Sequence, residues 1–259
     1  EIRNANVVTF VGTSSTMVDT ISGRIQCKGF QHNSNVITDI SGPHGRGAAV
    51  LKKYPEIAFA EGKFDSNPTT NMYVQAGYTV TASSQMTGST HDPWHAFDNT
   101  LSGNEGWITG GATYNPNSPG EAQSGLGATQ FPSDSGRYGE YIDLQLPSKI
   151  RVKHFIIKTR PAVASWEPEA SPGAGYLYGS INGTDWTEIK AFSGLTYGGM
   201  GTDGGTQETV QVDSTTAYNY LRFQVTHRAG QNGTDQYAAV GELEFYGYEE
   251  DPPAGDHSV

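Results

Sequence analysis

The chain has 259 residues, of which 33 are glycine, 13 are proline and only 17% are charged. This length suffices for a full hydrophobic core, and the glycine and proline content favours short strands joined by loops over long helices. A single cysteine, Cys27, excludes an internal disulfide framework and a cysteine-based zinc cluster. The net charge of −11 disfavours binding to nucleic acid or to an anionic membrane surface.

The sequence contains no run that approaches eighteen apolar residues, so it predicts no membrane insertion. It begins at Glu1, without an initiator methionine or a signal-like apolar stretch. We therefore expect a soluble fragment or a processed product.

Residues 1–77 are expected to form an extended, β-rich stalk, linker or assembly segment. Two similar runs, NANVVTF at 4–10 and NSNVITD at 33–39, each place β-branched residues after asparagine and before a Gly/Ser turn, which indicates strands. Apolar residues are too sparse here for a self-sufficient core. The strands are therefore expected to pair with other chains, in a homotrimer or a capsid lattice, or to lie on a neighbouring domain; an extended linker is the alternative.

From residue 78 onward, apolar and polar residues alternate with the period of β-strands. The predicted strands are 78–82, 140–146, 150–159, 175–181, 186–192, 208–212, 220–227 and 239–247. Eight short strands predict an all-β fold, an eight-stranded β-sandwich. Residues 248–259 are expected to form an acidic, flexible tail.

Two local features refine this prediction. The strand that begins at Ile150 changes its alternation phase before Phe155, so we expect a bulge near His154. Asn182-Gly183 predicts a two-residue type I′ hairpin, because both central positions of that turn need positive φ.

Sequence motifs of common enzyme classes are missing, including those of serine hydrolases, P-loop proteins, zincins and dinucleotide-binding proteins. His91 and His95 have the spacing of a helical zinc site, but Pro93 lies between them and no third ligand is near in sequence. We therefore expect two loop histidines and no catalytic activity.

A succession of motifs resembles the discoidin family, also called coagulation-factor C-type or galactose-binding-like domains. The resemblance covers about residues 78–247. Its motifs are TASSQ (81–85), HAFDNT (95–100), Trp107, EYIDLQL (140–146), IRVKHFIIKTR (150–160), GYLYGSINGTDWTEI (175–189), NYLRFQVTHR (219–228) and AVGELEFYG (239–247). It implies an eight-stranded, jelly-roll type sandwich whose loops at one end bind sugars, phospholipid headgroups or proteins, mostly without catalysis. It also places Trp107 and Trp186 in the core.

A second resemblance concerns residues 41–84, which are similar to a spacer that precedes such domains in surface proteins of large DNA viruses of algae. It implies a virion fibre, spike or capsid-associated protein with an extracellular or virion-surface location.

The discoidin resemblance further implies a structural calcium ion, held by a turn and by the last strand. The matching positions are Asp98, the carbonyl groups of His95 and Thr100, and Gly241 with Glu242. Oxygen ligands of this kind suit calcium. The loop before Trp107 is longer than the family's, so Asn104 or Glu105 is expected to replace one ligand; alternatively, Asp98 only caps its turn.

The same resemblance locates a glycan site on loops that gather at one end of the sandwich. These loops are 85–94, 108–139, 160–173 and 228–237, and they carry Trp94, Trp166, Tyr114, His91, Arg137, Arg160 and Arg228. Aromatic rings cover the apolar face of a sugar, while arginine and histidine bind its hydroxyl groups. Trp166 is the first candidate, because it stands in a polar, proline-rich loop; alternatively, it folds back onto the sandwich end.

Three functions remain open at this point. The first is a noncatalytic glycan-binding module for adhesion or attachment at a virion or cell surface. The second is a structural capsid or fibre protein that uses the sandwich for packing against other proteins. The third is an accessory domain of a carbohydrate-active enzyme.

Overall fold

The chain forms two compact units, residues 1–50 and 51–259, which are described separately. A computed structural model describes residues 17–19, 24–26, 30–32, 35–37, 50–67, 69, 71–101, 105–116, 120–133, 135–160, 170–197, 206–230 and 236–250.

The first unit contains two short antiparallel hairpins. Their strands are β1 (Met17–Asp19), β2 (Arg24–Gln26), β3 (Phe30–His32) and β4 (Asn35–Ile37). β1 pairs with β2, and β3 pairs with β4. The strand predicted within 33–39 is confirmed at Asn35–Ile37, whereas the one at 4–10 lies outside the described residues. Pairing with another chain stays a prediction.

The second unit is built from eleven strands among the described residues. In chain order they are β5 (Lys52–Tyr54), β6 (Met72–Gln75), β7 (Tyr78–Ala82), β8 (Trp107–Ile108), β9 (Glu140–Lys158), β10 (Pro172–Ser180), β11 (Thr187–Phe192), β12 (Gln207–Gln211), β13 (Tyr218–Arg228), β14 (Ala239–Val240) and β15 (Glu242–Glu249). Short 3₁₀ turns span Ser89–His91, Pro93–Phe97 and Ser124–Leu126. The described segments include no helix that is long and apolar enough to span a bilayer.

Strand β9 joins the two layers of the sandwich, since each half pairs with a different set of strands. Its first half lies between β7 and β13, and its second half lies between β12 and β15. The first layer therefore runs β6-β7-β9-β13-β10-β11, and the second layer runs β12-β9-β15-β5. The predicted all-β sandwich is confirmed, and the predicted strands 140–146 and 150–159 are one continuous strand.

Apolar side chains from both layers fill the core. The Phe155 ring of the second layer packs against Phe223 of the first, with ring centroids 5.7 Å apart, and against Phe245 at 6.2 Å. All three rings are buried. Each such burial contributes about 1.5–3 kcal/mol relative to exposure. The tryptophan assigned to the core at Trp107 is fully buried, as predicted.

The predicted bulge in β9 is confirmed. Its register against β15 passes from His154 to Val152 between the adjacent residues Tyr246 and Gly247, which leaves Lys153 as the extra residue. The Lys153 carbonyl instead accepts the backbone N–H of Asp213 at 3.0 Å. The bulge lets both halves of the strand direct apolar residues into the core.

The boundary predicted between residues 77 and 78 is wrong. Strand β5 pairs with β15, β6 pairs with β7, and Tyr54, Phe59 and Tyr73 are buried. Residues 51–77 therefore belong to the sandwich, because their strands pair with its strands and three of their aromatic side chains lie in its core. At the other end, β15 continues to Glu249, so the predicted tail from 248 starts too early; residues 251–259 lie outside the described part.

The hairpin at Asn182-Gly183 is confirmed, but its turn is not of type I′. Only Gly183 has positive φ there, and Asn182 Oδ1 accepts the backbone N–H groups of Thr184 at 2.9 Å and Asp185 at 2.8 Å. This side-chain acceptor supports a longer loop. Trp186, at the end of that loop, is half-buried on the outer face of the first layer and not in the core, because its ring packs against the Arg222 guanidinium at 4.2 Å.

Candidate ligand and cation site

Several loops meet at one end of the sandwich around the short β8–β14 ladder. Strand β8 supplies Ile108 O, which accepts Met86 N at 2.8 Å, and strand β14 supplies Ala239 N, which donates to Ala170 O at 2.9 Å. Gly241 N donates to Lys158 O at 3.0 Å, which joins the end of β9 to the same place. We call this region the loop end; it comprises residues 83–91, 105–116, 159–160, 170–171 and 236–241.

The buried carboxyl group of Glu140 forms hydrogen bonds with two loops beside this region. Its Oε2 accepts the hydroxyl groups of Ser83 at 2.5 Å and Ser84 at 2.7 Å, and its Oε1 accepts Thr129 N at 3.0 Å. Ser84 Oγ in turn accepts Gly110 N at 3.0 Å. Through these hydrogen bonds Glu140 holds three chain segments together.

Two of the predicted ligand residues, His91 and Arg160, belong to segments that join at the loop end. Arg160 Nε donates to Glu105 O at 3.2 Å, and Gly106 N donates to Thr90 O at 3.2 Å. Gly106 permits this approach, because its φ is +135° and a Cβ there would lie 2.9 Å from Arg160 Cγ.

The electrostatics of this pair favour a neutral imidazole. Burial lowers the pKa of His91, and the nearby Arg160 charge lowers it further. A neutral imidazole offers one donor and one acceptor, whereas a charged one offers donors only. His91 is half-buried and Arg160 is buried.

Two predicted ligand aromatics, Trp94 and Tyr114, are core residues, and their assignment to a sugar-facing surface is wrong. The Trp94 ring packs edge-on against Phe64 at 5.5 Å and stacks on His95 at 3.6 Å. Tyr114 is fully buried, and its hydroxyl donates to Val225 O at 2.9 Å. Both rings are enclosed by protein, so neither has a free face for a sugar.

Arg137 stands apart from His91 and Arg160. It lies on the outer face of the first layer, where it contacts Glu188 Oε2 at 2.5 Å, donates to Tyr178 OH at 3.1 Å and covers the Tyr176 ring at 4.1 Å. Its predicted role at a shared ligand site is therefore not supported by its position.

Arg228 is buried, and Trp166 lies outside the described residues. The Arg228 guanidinium donates from NH2 to Asn115 O at 3.3 Å. The Arg228 side chain also packs against Gly120, where an added Cβ would lie only 2.8 Å from the Cβ of Arg228. It thus supports the backbone at Asn115 and Gly120. Trp166 falls within 161–169.

The predicted metal residues Asp98, Thr100 and Glu242 lie together next to the loop end. Asp98 follows the 3₁₀ turn Pro93–Phe97, and Asn99 reverses the chain with φ of +59°. Thr100 N donates to Asp98 Oδ1 at 2.8 Å and to Glu242 Oε1 at 2.9 Å. The contact from Thr100 N to Asp98 Oδ1 is the capping bond given above as the alternative, and Asp98 Oδ2 lies 2.7 Å from His95 Nδ1.

This arrangement brings two carboxyl groups together in a buried place. The Asp98 side chain is 7% exposed and Glu242 is 2% exposed. Burial, and then the neighbouring Asp98, raises the pKa of Glu242 to about 9. A bound cation would favour the ionised form of both groups, so these residues fit a hard cation.

Glu105, expected to replace a family ligand, does approach this cluster. Ligand atoms of His95, Asp98 and Glu105 lie within 4.8 Å of one another, and His95 Nδ1 is 2.7 Å from Asp98 Oδ2. Only the His95 carbonyl group was expected at the site, whereas its imidazole also lies there. The i, i+3 spacing of His95 and Asp98 was the available signal.

No protein-family model matches the chain, and no curated protein matches it by sequence. Similar solved structures include the family 32 carbohydrate-binding module from Streptococcus pneumoniae EndoD, at 12% identity, covering 66% of this chain and 96% of that one, with a TM-score of 0.43. An F5/8 type C domain from Bacteroides fragilis has 11% identity, 73% and 99% coverage and a TM-score of 0.43. Chitosan-binding module 1 from a Paenibacillus chitosanase/glucanase has 20% identity, 66% and 96% coverage and a TM-score of 0.41.

At these identities and TM-scores the likeness indicates nothing about which ligand this chain binds.

Proposed function

We propose that the second unit is a noncatalytic carbohydrate-binding module with its ligand site at the loop end. The observation that carries this proposal is the position of His91 at the loop end, where Gly106 N donates to Thr90 O and where Arg160 and a buried network hold the neighbouring loops in place. The sandwich supplies the rigid support, since each loop is anchored to a strand end.

The chemistry of His91 suits sugar hydroxyl groups. Each hydroxyl both donates and accepts hydrogen bonds, and a neutral His91 imidazole provides both functions. Arg160 is 1% exposed, so its part is to hold the loop that carries Glu105 and not to contact the sugar. The negative charge of the chain favours neutral or amino sugars over sulfated or sialylated ones.

An aromatic ring is needed to cover the apolar face of a sugar, and two side chains are candidates. Tyr237 is half-buried and packs against Ile108, Ala170 and Ala239 at the loop end. Trp166 remains the other candidate from the sequence.

We propose a structural calcium ion as the cofactor of this module. Asp98 and Glu242, with backbone carbonyl groups at His95, Thr100 and Gly241, would hold it. The ion would supply positive charge between two buried carboxylates and tie the 93–100 segment to β15.

Attachment to a cell or virion surface is the setting that we propose for glycan binding, with an extracellular or virion-surface location. The resemblance of residues 41–84 to viral spacers supports this setting. There are two alternatives: packing in a capsid or fibre, and a role as an accessory domain of a carbohydrate-active enzyme. The full-length gene would distinguish the enzyme domain from the other functions, because it would encode the catalytic part.

A glycan array with the purified chain tests the binding function, followed by calorimetry with the best sugar. His91→Ala and Trp166→Ala should each weaken binding by roughly 1–3 kcal/mol without lowering thermal stability. His154→Ala is the matched control, because His154 stacks on Tyr246 at 4.6 Å on the second layer. If folded His91→Ala protein binds the sugar as tightly as the wild type, the proposed site is excluded. If the array shows no bound sugar at all, the function in packing against other proteins is favoured.

A further inference from the structure

The outer face of the first layer carries the residues that alternate with its core residues. Ile142 of β9, Leu177 of β10 and Phe223 of β13 are buried in the core. Successive side chains of a strand point to opposite faces of the sheet. The neighbours of these core residues on the outer face are therefore Tyr141, Tyr176, Tyr178 and Arg222.

The Arg222 guanidinium is the centre of an aromatic group on this face. It lies over the ring of Phe131 at 4.2 Å and over that of Tyr141 at 3.7 Å. It also lies over the Trp186 ring at 4.2 Å, and Trp186 meets Phe131 edge-on at 6.0 Å. One cation thus holds three rings, which come from a loop, a strand and a hairpin, in fixed positions.

Two tyrosines of β10 extend this group across the sheet. The ring centroids of Tyr176 and Tyr178 are 5.9 Å apart, and Phe131 meets Tyr178 edge-on at 5.0 Å. The Arg137 guanidinium lies over the Tyr176 ring at 4.1 Å. We call these five rings the aromatic face: Phe131, Tyr141, Tyr176, Tyr178 and Trp186.

The aromatic face has a buried floor and a solvent-accessible surface. Tyr178 is 1% exposed and Arg222 is 8% exposed, whereas the other four rings are half-buried. Exposed hydrophobic residues of a soluble protein are usually scattered singly, and a contiguous group marks an interaction site.

Both guanidinium groups of this surface are paired with carboxyl groups of the same chain. Arg222 donates from Nε and NH2 to the two oxygens of Asp143, at 2.7 and 2.6 Å. Arg137 contacts Glu188 Oε2 at 2.5 Å, and these two side chains are 35% and 40% exposed. Because the two positive charges are balanced locally, the surface is complementary to a neutral partner and not to a phosphate or an acidic chain.

A chain of neutral sugars has the chemistry that this surface requires. Each sugar presents an apolar C–H face to an aromatic ring, and its hydroxyl groups can bind the exposed Arg137 and Glu188 side chains. Five adjacent rings offer more surface than a single sugar covers. We propose that the aromatic face binds a neutral oligosaccharide several sugars long. This proposal rests on the proposed carbohydrate-binding function for the class of ligand only, and the aromatic face shares no residue with the loop end.

The test is calorimetric titration of the full chain with cellohexaose, xylohexaose, mannohexaose and laminarihexaose, and with the matching disaccharides. We expect at least one hexasaccharide to bind about tenfold or more tightly than its disaccharide, because the longer chain covers more rings. Trp186→Ala and Tyr176→Ala should each weaken that binding about tenfold or more, since each removes one ring that the ligand covers. Tyr176→Phe keeps the ring and should bind within about twofold of the wild type.

Two further variants are controls that should leave hexasaccharide binding unchanged. Tyr246→Ala removes a half-buried tyrosine of β15, which belongs to the second layer. His91→Ala alters the loop end and leaves the aromatic face intact. Hexasaccharide binding that survives His91→Ala and is lost in Trp186→Ala would therefore assign the ligand to the aromatic face.

The opposite results overturn the proposal. It is wrong if no hexasaccharide binds, or if folded Trp186→Ala and Tyr176→Ala proteins both bind as tightly as the wild type. Sugar binding that only His91→Ala weakens would exclude the aromatic face and leave the loop-end site standing. Tyrosine, tryptophan and arginine are also frequent in protein interfaces, so light scattering is measured on the same variants. Self-association that Trp186→Ala abolishes would show that the face packs against a second copy instead.

The test does not depend on the folding of a single variant. If circular dichroism shows that Trp186→Ala does not fold, Tyr176→Ala takes its place. Tyr176 is half-buried and lies beside Arg137, which is itself 35% exposed.

Discussion

Asp98 and Glu242 accept the same backbone N–H, from Thr100, so two buried carboxylates face one donor. Two like charges this close cannot both ionise cheaply without a cation. The protein can satisfy them in two ways, with a proton on Glu242 or with a bound ion. The pH dependence of the free energy of unfolding should distinguish protonation of Glu242 from ion binding.

We predict that metal-free protein loses stability as pH rises from about 5 to about 9. The pKa of Glu242 is raised from its ordinary value of 4.5 to about 9, so within this window the folded state keeps a proton that the unfolded chain releases. The free energy of unfolding must therefore fall as pH rises. At pH 8, calcium at 100 times its Kd should raise the thermal midpoint by roughly 5–10 °C, and by less at pH 5.

Thermal melts of chelator-treated protein over this pH range, with and without calcium, measure the effect. Glu242→Gln should remove both the slope and the calcium response. Glu249→Gln, at a side chain 39% exposed, should leave them unchanged. Equal melting curves with and without calcium at pH 8 would argue against a calcium site.

At the scale of elements, the strands that join residues 51–77 to the sandwich make this segment part of the folding unit. Phe59 is 2% exposed, its N–H donates to Phe97 O at 3.0 Å, and the two rings lie 6.5 Å apart. This pair links the segment before β6 to the 3₁₀ turn that carries His95. A change at Phe59 should therefore affect the whole sandwich.

We predict that Phe59→Ala lowers the free energy of unfolding by about 3–5 kcal/mol, because it leaves a cavity in the core. Urea denaturation followed by tryptophan fluorescence measures this loss. Ile57→Ala, at a residue 57% exposed, should stay within about 0.5 kcal/mol of the wild type. If Phe59→Ala leaves the free energy of unfolding unchanged, residues 51–77 act as a linker and are not part of the folding unit.

The sequence predicts long, alternating strands well and short ones poorly. The bounds of β7 match the predicted 78–82, because five residues suffice to show alternation. The sequence does not predict strands β5 and β6, because they span only three and four residues and each buries a single large aromatic side chain. Trp94 was assigned wrongly for a related reason. A tryptophan in a loop is expected to be exposed, and its burial depends on contacts with Phe64 and His95 that the sequence does not show.

The candidate site was predictable only where family motifs fixed the spacing. The resemblance brought Asp98 and Glu242 together across 144 positions of the chain, which no local pattern does. It missed the imidazole of His95, because the family uses the carbonyl group at that position. Side-chain direction depends on the 3₁₀ turn and on the stacked Trp94 ring, and neither follows from spacing.

At the scale of the whole molecule, residues 1–50 form a compact unit of their own with two hairpins. Each strand is three residues long, and an isolated two-stranded hairpin is at best marginally stable in water. Burial against other copies would supply the missing support, and heterologous contacts around a three-fold axis close into a ring. These hairpins therefore motivate the predicted homotrimer.

We predict a trimeric mass for the full chain at micromolar concentration, measured by light scattering after size-exclusion chromatography. Trimerisation would place three sugar sites on one particle, and linked sites can bind a surface 10²–10⁴-fold more tightly than one site alone. Binding to a dense glycan surface should accordingly exceed binding to the free sugar by such a factor. A monomeric mass would exclude the trimer and would favour docking of the first unit on a larger lattice, in which case the surface and free-sugar affinities should agree.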